Sequence, residues 1–492
     1  MKKEVCDKSM SFAECELAIL RTSVDKAEEN TGRASVNSED VKKMISIVEG
    51  FLRKKQLIAY GGTAINSILP KQDQFYNKDI ELPDYDFFTP NALEDTKELC
   101  DLYAKAGFIE VEGKPGVHHG TFKVFVNFTP VADITYIHKD IFKEIKKESI
   151  RIGGILYSPP NYLRMAMFLE LSRPAGDVSR WEKVMKRLTL LNKNFPLTAK
   201  NCNKVNFQRN MAKGKKEDKI FETIKSTFID QDVVFFGGYA MALYSNYMPK
   251  KQKHRFQKSP DFDVLAEDPE KVADIIKERL HDIGVKDVRI VKRDAIGEIV
   301  AQHCEIIIGK DTVAFVYEPL ACHSYNVIDE NGEKIKIATI DTMLSFYLAF
   351  LYASRDYYDK DRILCMSQYL FKVQQENRLK QKGLLRRFSI KCYGKQLTLE
   401  DMRAEKAKKY EELKGMRGTR EYEEYFLRYR PGEKAKGKQS QENNTKTTKN
   451  TNTRKKRNSS KKTNKNWYTN RRRGKSTRGK STRKRGRGGL WL

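Results

Sequence analysis

"GGTAINSILPKQDQFYNKDIELPDYDFF" spans Gly61 to Phe88, and its reading organises the whole chain. Two glycines follow the short apolar run Leu57-Ile58-Ala59-Tyr60. The first aspartate of Asp84-Tyr85-Asp86 stands 22 residues after Gly62. Upstream, Val41, Met44, Ile45, Val48, Phe51 and Leu52 recur at helical spacing, with Asn37 or Ser38 as the cap. The order is helix, strand, sharp turn, acidic pair. On a strand, residues i and i+2 point the same way, so the two carboxylates share a face. Adjacent carboxylates repel and need a cation, and an oxygen-only acidic site suits Mg²⁺, which also takes phosphate oxygens.

Further along, "FKVFVNFTPVADITYI" (122–137) reads as one or two strands and carries Asp133 among apolar residues, where a lone acid is costly. A third carboxylate lets a site hold two ions about 3.5–4 Å apart, the clamp used for in-line phosphoryl displacement. Lacking Cβ atoms, Gly61 and Gly62 allow a triphosphate to approach the backbone, where N–H groups of the following helix start bind it. The Thr63 hydroxyl adds a donor. A D-x-D alone is common in loops and helix caps; the ordered set is far more specific.

The chain then repeats itself. "GGYAMALYSNYMPKKQKHRFQKSPDFDVL" begins at Gly237, 176 residues after Gly61, and Gly238 to Asp261 is 23 residues. The helix "EDKIFETIKSTFIDQ" and the run "VVFF" precede it. Strands at "HCEIIIGKDTVAFVYEP" and one helix over "DTMLSFYLAFLYASRDYYDKDRILCMSQYL" follow. Duplication of a whole domain explains this order. Aligning "VADITYI" with "VAFVYEP" puts Phe315 where Asp133 stands, and neither Glu305 nor Glu318 fits that register. The second copy keeps Asp261 and Asp263 without a third acid.

The 492 residues carry a net charge of +29. From Gly432 to Leu492 there are 22 Lys+Arg and 2 Glu, so the tail holds +20 and the body +9. A polyanionic partner is expected, nucleic acid first. The tail is too polar to bury a core and reads as disordered, with Trp467, Tyr468 and Trp491 free to stack on bases. The eight cysteines form no C-x-x-C pair, and the expectation is buried, reduced thiols. No stretch reaches the ~18 apolar residues of a membrane span, so the reading is a soluble, intracellular protein.

"YGGTAIN", "DYDFF", "HHGTFKVFVN", "VADITYI" and above all "LELSRPAGDVSRWEKVMKRL" resemble one family. It is the poly(A) polymerase catalytic subunit of large cytoplasmic DNA viruses, within the nucleotidyltransferase superfamily of the DNA polymerase β type. The likeness covers residues 50–195 well and the second half more loosely. It implies an α+β fold of two tandem nucleotidyltransferase-like domains, each a mixed sheet flanked by helices, with a disordered basic tail. The domains expected are an N-terminal helical arm (1–35), a catalytic domain (36–200), a degenerate copy (201–390), a helical extension (391–431) and the tail (432–492).

The implied activity is template-independent, metal-dependent addition of AMP from ATP to RNA 3′ ends, in viral mRNA polyadenylation. By resemblance Asp84, Asp86 and Asp133 are the catalytic carboxylates and hold two Mg²⁺ or Mn²⁺ ions. Gly61, Gly62 and Thr63 form the phosphate-side loop. Arg180, Lys183 and Lys186, spaced i, i+3, i+6, offer a cationic helix face for the triphosphate. His118 and His119 read first as histidines without a catalytic role. The second copy is expected to be an inert scaffold forming the RNA groove or a dimer contact. Partners implied are an RNA 3′ end and ATP, no membrane, and either a second copy of the chain or a processivity partner. Location is expected in the infected-cell cytoplasm or the virion. Alternatives are an oligoadenylate-synthesising enzyme, a CCA-adding enzyme, for which the expected Arg-Arg-Asp base-selecting signature is absent, and a non-catalytic RNA-binding scaffold.

Overall fold

The computed structural model describes residues 5–7, 9–77, 79–209, 217–253 and 260–433. The basic tail therefore lies outside the described residues, apart from Gly432 and Glu433. Helix α1 (Phe12–Asn37) opens with a Ser11/Glu14 capping box and runs just past the helical arm expected over 1–35. It buries no residue, and Phe12, Leu17 and Leu20 stay exposed. Helix α2 (Glu39–Lys55) buries Met44, Val48, Phe51 and Leu52, the stripe its periodicity predicts. Ser38 is its N-cap by position but makes no side-chain cap bond.

The first repeat continues through β1 (Ile58–Ala59), α3 (Gly61–Ile68), β2 (Tyr85–Thr89), α4 (Ala92–Lys105), β3 (Val111–Pro115), β4 (Thr121–Val126) and β5 (Thr129–Tyr136). It ends with α5 (Lys139–Glu148), β6 (Ile150–Ile152), β7 (Ile155–Tyr157), α6 (Pro160–Leu171) and α7 (Trp181–Asn194). The stretch left open as one or two strands is a hairpin. Asn127 and Phe128 both take positive φ, 48° and 64°, the two-residue turn whose twist suits antiparallel strands. Asn accepts that conformation readily; Phe128 takes it with its ring in solvent.

The second repeat runs α8 (Glu217–Asp230), β8 (Val234–Phe235), α9 (Gly238–Ser245), β9 (Phe262–Leu265), α10 (Pro269–Asp282), β10 (Val288–Arg293), β11 (His303–Ile308) and β12 (Asp311–Tyr317). Then come β13 (His323–Glu330), β14 (Glu333–Ala338), α11 (Ile340–Phe350), α12 (Lys360–Glu376), β15 (Cys392–Tyr393), α13 (Leu399–Leu413) and α14 (Arg420–Phe426). The single helix expected from Asp341 onward is two helices, interrupted where Ser354 turns to φ 50°.

The duplication is plain in the sheets. The first has order β3-β4-β5-β2-β1-β7-β6, and the second β10-β11-β12-β9-β8-β14-β13 with β15 added at the edge. Corresponding pairs are parallel in both: β2 with β5 and β1 with β7, β9 with β12 and β8 with β14. Helices flank both mixed sheets. Helix α6 packs on α11, every residue of which is buried, and one apolar core runs through both repeats.

The cysteines differ from expectation. Cys6–Cys15, Cys202–Cys365 and Cys322–Cys392 are disulfide-bonded, and only Cys100 and Cys304 are free, both buried. Two of these bridges join residues 163 and 70 positions apart, brought together by packing that sequence spacing does not reveal.

His323 on β13 is 1% exposed, and neither ring nitrogen has a partner among the described residues. Burial, then the Arg173 charge, push its pKa down to about 3. The ring is neutral in the fold but protonates near 6.5 when unfolded, so its contribution is complete above that pH and is lost as pH falls toward 3. We expect the urea midpoint to fall with pH below 6.5, and His323→Phe to flatten that dependence by up to about 1.4 kcal/mol per pH unit. An unaltered slope in the variant would contradict this.

Candidate active site

Strand β2 is the spine of the site. All five of its residues are buried, and it pairs with β5 in a register that sets Asp86 directly beside Asp133. The carboxylates are 8% and 4% exposed. Asp84 lies just before the strand and is exposed; Thr63 Oγ1 donates to its carbonyl at 2.6 Å, tying the glycine turn to the acidic pair. Burial, then the charges of Asp84 and Asp133, hold the Asp86 carboxyl well above the usual carboxylate range. Its Oδ1 is buried and has no hydrogen-bond partner among the described residues. Asp84 and Asp133 thus both act electrostatically on Asp86, although Asp84 stands outside the strand.

The glycines fit this geometry. Gly61 has φ 71°, the left-handed region, and a Cβ there would stand 2.5 Å from Asp86 Oδ2. A Cβ on Gly62 would stand 2.5 Å from Tyr76 Oη and 2.9 Å from Arg187 Nη2. The turn and the first aspartates therefore demand each other sterically.

One cation already faces the acids. Lys123 on β4 is the cross-strand neighbour of Asp133 and forms an ion pair with Asp133 Oδ2. Lys123 thereby occupies one of the Asp133 oxygens. Among the described residues no group of three or more His, Cys, Asp or Glu side chains is placed to hold a metal ion. The donor chemistry still fits a hard divalent cation: oxygens only, one of them buried and unpartnered.

The basic side chains expected on one face of α7 have different neighbours. Lys183 feels the charge of the site: burial, then Arg187 and Arg180, lower its pKa, while Glu170 and then Asp84 raise it. Arg180 caps the helix and pairs with Glu170 at 3.0 Å. Lys186 does not join them. It is exposed and paired with Glu182 at 2.7 Å. Six residues along a 3.6-residue helix turn the side chain well off the face; seven bring it back. Arg187 is that residue, 7% exposed, donating to Tyr76 Oη at 2.6 Å and lying over the Phe75 ring. Spacing at i, i+7 from Arg180 was the signal for it. Of the two histidines, His119 stacks on Tyr425, and His118 is neutral, burial and then Lys123 having pushed its pKa down to about 3.

The second repeat keeps the geometry and changes the charge. Asp263 is the β9 partner of Phe315 on β12, the register place held by Asp86 and Asp133 in the first copy. Glu305 takes the place of Lys123 and bonds Arg293 instead. Arg209, from the segment after α7, fills the centre. Its Nη2 lies 2.6 Å from Asp261 Oδ2 and 2.7 Å from Asp263 Oδ1, its backbone N–H donates to Asp261 Oδ1, and its guanidinium lies over the Phe315 ring. The remaining cavity there is about 20 Å³, room for a water and no nucleotide. Nothing in the sequence marked Arg209, which stands 52 residues before Asp261.

Comparison with known proteins agrees with the first repeat. Residues 46–177 match the poly(A) polymerase catalytic subunit family. The resemblance read from the motifs is borne out by that match and by two relatives. A protein of Acanthamoeba polyphaga mimivirus, named as a poly(A) polymerase catalytic subunit, is 32% identical over 162 residues, 32% of this chain and 27% of the relative. A protein of the same name from African swine fever virus is 32% identical over 171 residues, 34% of this chain and 36% of the relative. The matched stretch thus spans about a third of the curated relatives. The crystal structure of the Megavirus polyadenylate synthase superposes with a TM-score of 0.70 over 84% of this chain and 86% of that one, at 19% identity, and shows the shared fold.

Removing Arg209 while leaving both acids buried should be costly. We expect Arg209→Met to lower stability by about 3–5 kcal/mol in chemical denaturation, and Asp261→Asn with Asp263→Asn to restore most of it. A fully stable Arg209→Met protein would contradict the neutralising role.

Proposed function

We propose that the chain is a template-independent polyadenylate polymerase that adds AMP from ATP to RNA 3′ ends. The observation that carries this is the register of Asp86 beside Asp133, next to a glycine turn, inside the segment that matches the poly(A) polymerase catalytic subunit family. Asp84, Asp86 and Asp133 would hold Mg²⁺ or Mn²⁺, which supplies charge neutralisation for the triphosphate and the entering oxygen. Lys123 must release Asp133 for all three acids to serve together. Gly61, Gly62 and Thr63 admit the phosphates to the backbone, and Lys183 and Arg187 face their negative charge. Lys186 has no part in this reading.

In the reaction the RNA 3′-hydroxyl oxygen bonds to the α-phosphorus of ATP, the bond to the β-phosphate bridging oxygen breaks, and pyrophosphate leaves. The hydroxyl proton passes to a carboxylate, for which Asp133 is the candidate. In the second repeat an arginine already occupies the acidic pair, which supports assigning all chemistry to the first.

Purified protein with Mg²⁺ or Mn²⁺, an RNA primer and each nucleoside triphosphate separately should show extension with ATP alone. Asp84→Ala should fall below about a hundredth of wild-type extension. Asp261→Asn should keep the wild-type rate per folded molecule. Extension by Asp84→Ala, or loss of it in folded Asp261→Asn, would overturn the division of labour; incorporation of every nucleotide would overturn the ATP assignment.

A further inference from the structure

Beyond the acidic sites lies a groove of about 1450 Å³, well above the ~300–1,000 Å³ of small-molecule pockets. One wall is α7, the other α12, and the floor is the segment joining the two repeats. Six basic side chains line it against a single acid, Glu376. Lys193 is paired with Asp73 and Arg387 with Asp341. Lys251, Lys372 and Arg378 are exposed and have no acidic partner among the described residues. Half-buried Tyr369 and Phe371 lie along the α12 wall, with Gln368 and Gln375 beside them.

Size, charge and lining point to one class of ligand. A cationic groove with aromatic rings and amides tracks a single-stranded backbone while its rings stack on bases. The groove also adjoins the acidic site through one helix. On α7, Arg187 lies against Gly62 and Tyr76 at the acidic site, whereas Met185, Thr189 and Asn192 line the groove. We infer that this groove holds single-stranded RNA upstream of the 3′ end that the first repeat extends. The inference rests on the polymerase reading for its direction, but the binding itself does not require catalysis. It also gives the second repeat a role, since α12 supplies a wall.

The test compares the full chain with the triple variant Lys251→Gln, Lys372→Gln, Arg378→Gln. Binding of a fluorescein-labelled oligoadenylate is followed by anisotropy across a salt series. We expect affinity to fall about tenfold or more at fixed salt, and the slope of log K against log salt to shrink by about 2, as for three lost phosphate contacts on a single strand. Unchanged affinity and slope overturn the assignment. Should the variant melt early, photo-cross-linking of 4-thiouridine RNA to the wild-type chain decides instead: adducts at Tyr369 or Phe371 support the groove, and adducts confined to other surfaces overturn it. Duplex RNA that competes as well as single-stranded RNA also overturns it. Primer extension on the same preparations separates the two readings. Wild-type protein that binds through these residues but extends with no nucleotide sinks the polymerase reading and leaves the groove standing. Wild-type protein that polymerises, with a variant of unaltered affinity, sinks the groove alone.

Discussion

Two carboxylates fixed side by side on neighbouring parallel strands are an unstable arrangement without a cation. Asp86 and Asp133 are in that position, with Asp84 adding to the repulsion, and burial weakens the solvation that would otherwise screen them. Everything distinctive about the first repeat follows from meeting that demand. Gly61 and Gly62 clear space against Asp86 and Arg187, Thr63 ties the turn to the Asp84 backbone, and Lys123 supplies positive charge to Asp133. The Lys123 side chain is 27% exposed, so its head can swing to water and serve as an exchangeable counter-ion. That is the property a reaction centre needs if metal and triphosphate are to enter.

The second repeat answers the same demand in a permanent way. It retains the strand order, the glycine pair and the acidic pair, yet Phe315 replaces the third acid and Arg209 bridges Asp261 and Asp263. Arginine is always charged and forks between two carboxylates with fixed geometry, so it locks where lysine only waits. Duplication thus left two sheets of one design, one with an adjustable cation and one with a built-in one. The second copy contributes mass to the shared core through α11 and a wall to the basic groove through α12.

The sequence made the outline readable because its strongest signals are local. Glycine pairs before acidic pairs, a helical stripe at Met44, Val48, Phe51 and Leu52, and a 176-residue internal offset needed no long-range information. The Asp133 and Phe315 registers followed from aligning the copies. What stayed hidden was set by three-dimensional proximity. Arg209 reaches the second acidic pair from an irregular segment, and Cys202 meets Cys365 from 163 residues away. Arg187 escaped a count of three and three from Arg180, because the helix closes its face at seven. The hairpin turn at Asn127-Phe128 carried no glycine to announce it.

The account stands on the first acidic set taking divalent ions and the second refusing them. The most direct measurement is the anomalous scattering of Mn²⁺ in crystals grown with a non-hydrolysable ATP analogue. The account predicts manganese among Asp84, Asp86 and Asp133, with the Lys123 ammonium moved off Asp133, and none between Asp261 and Asp263. Manganese bound at the second pair, or Lys123 still seated on Asp133 with no metal in the first, would contradict it.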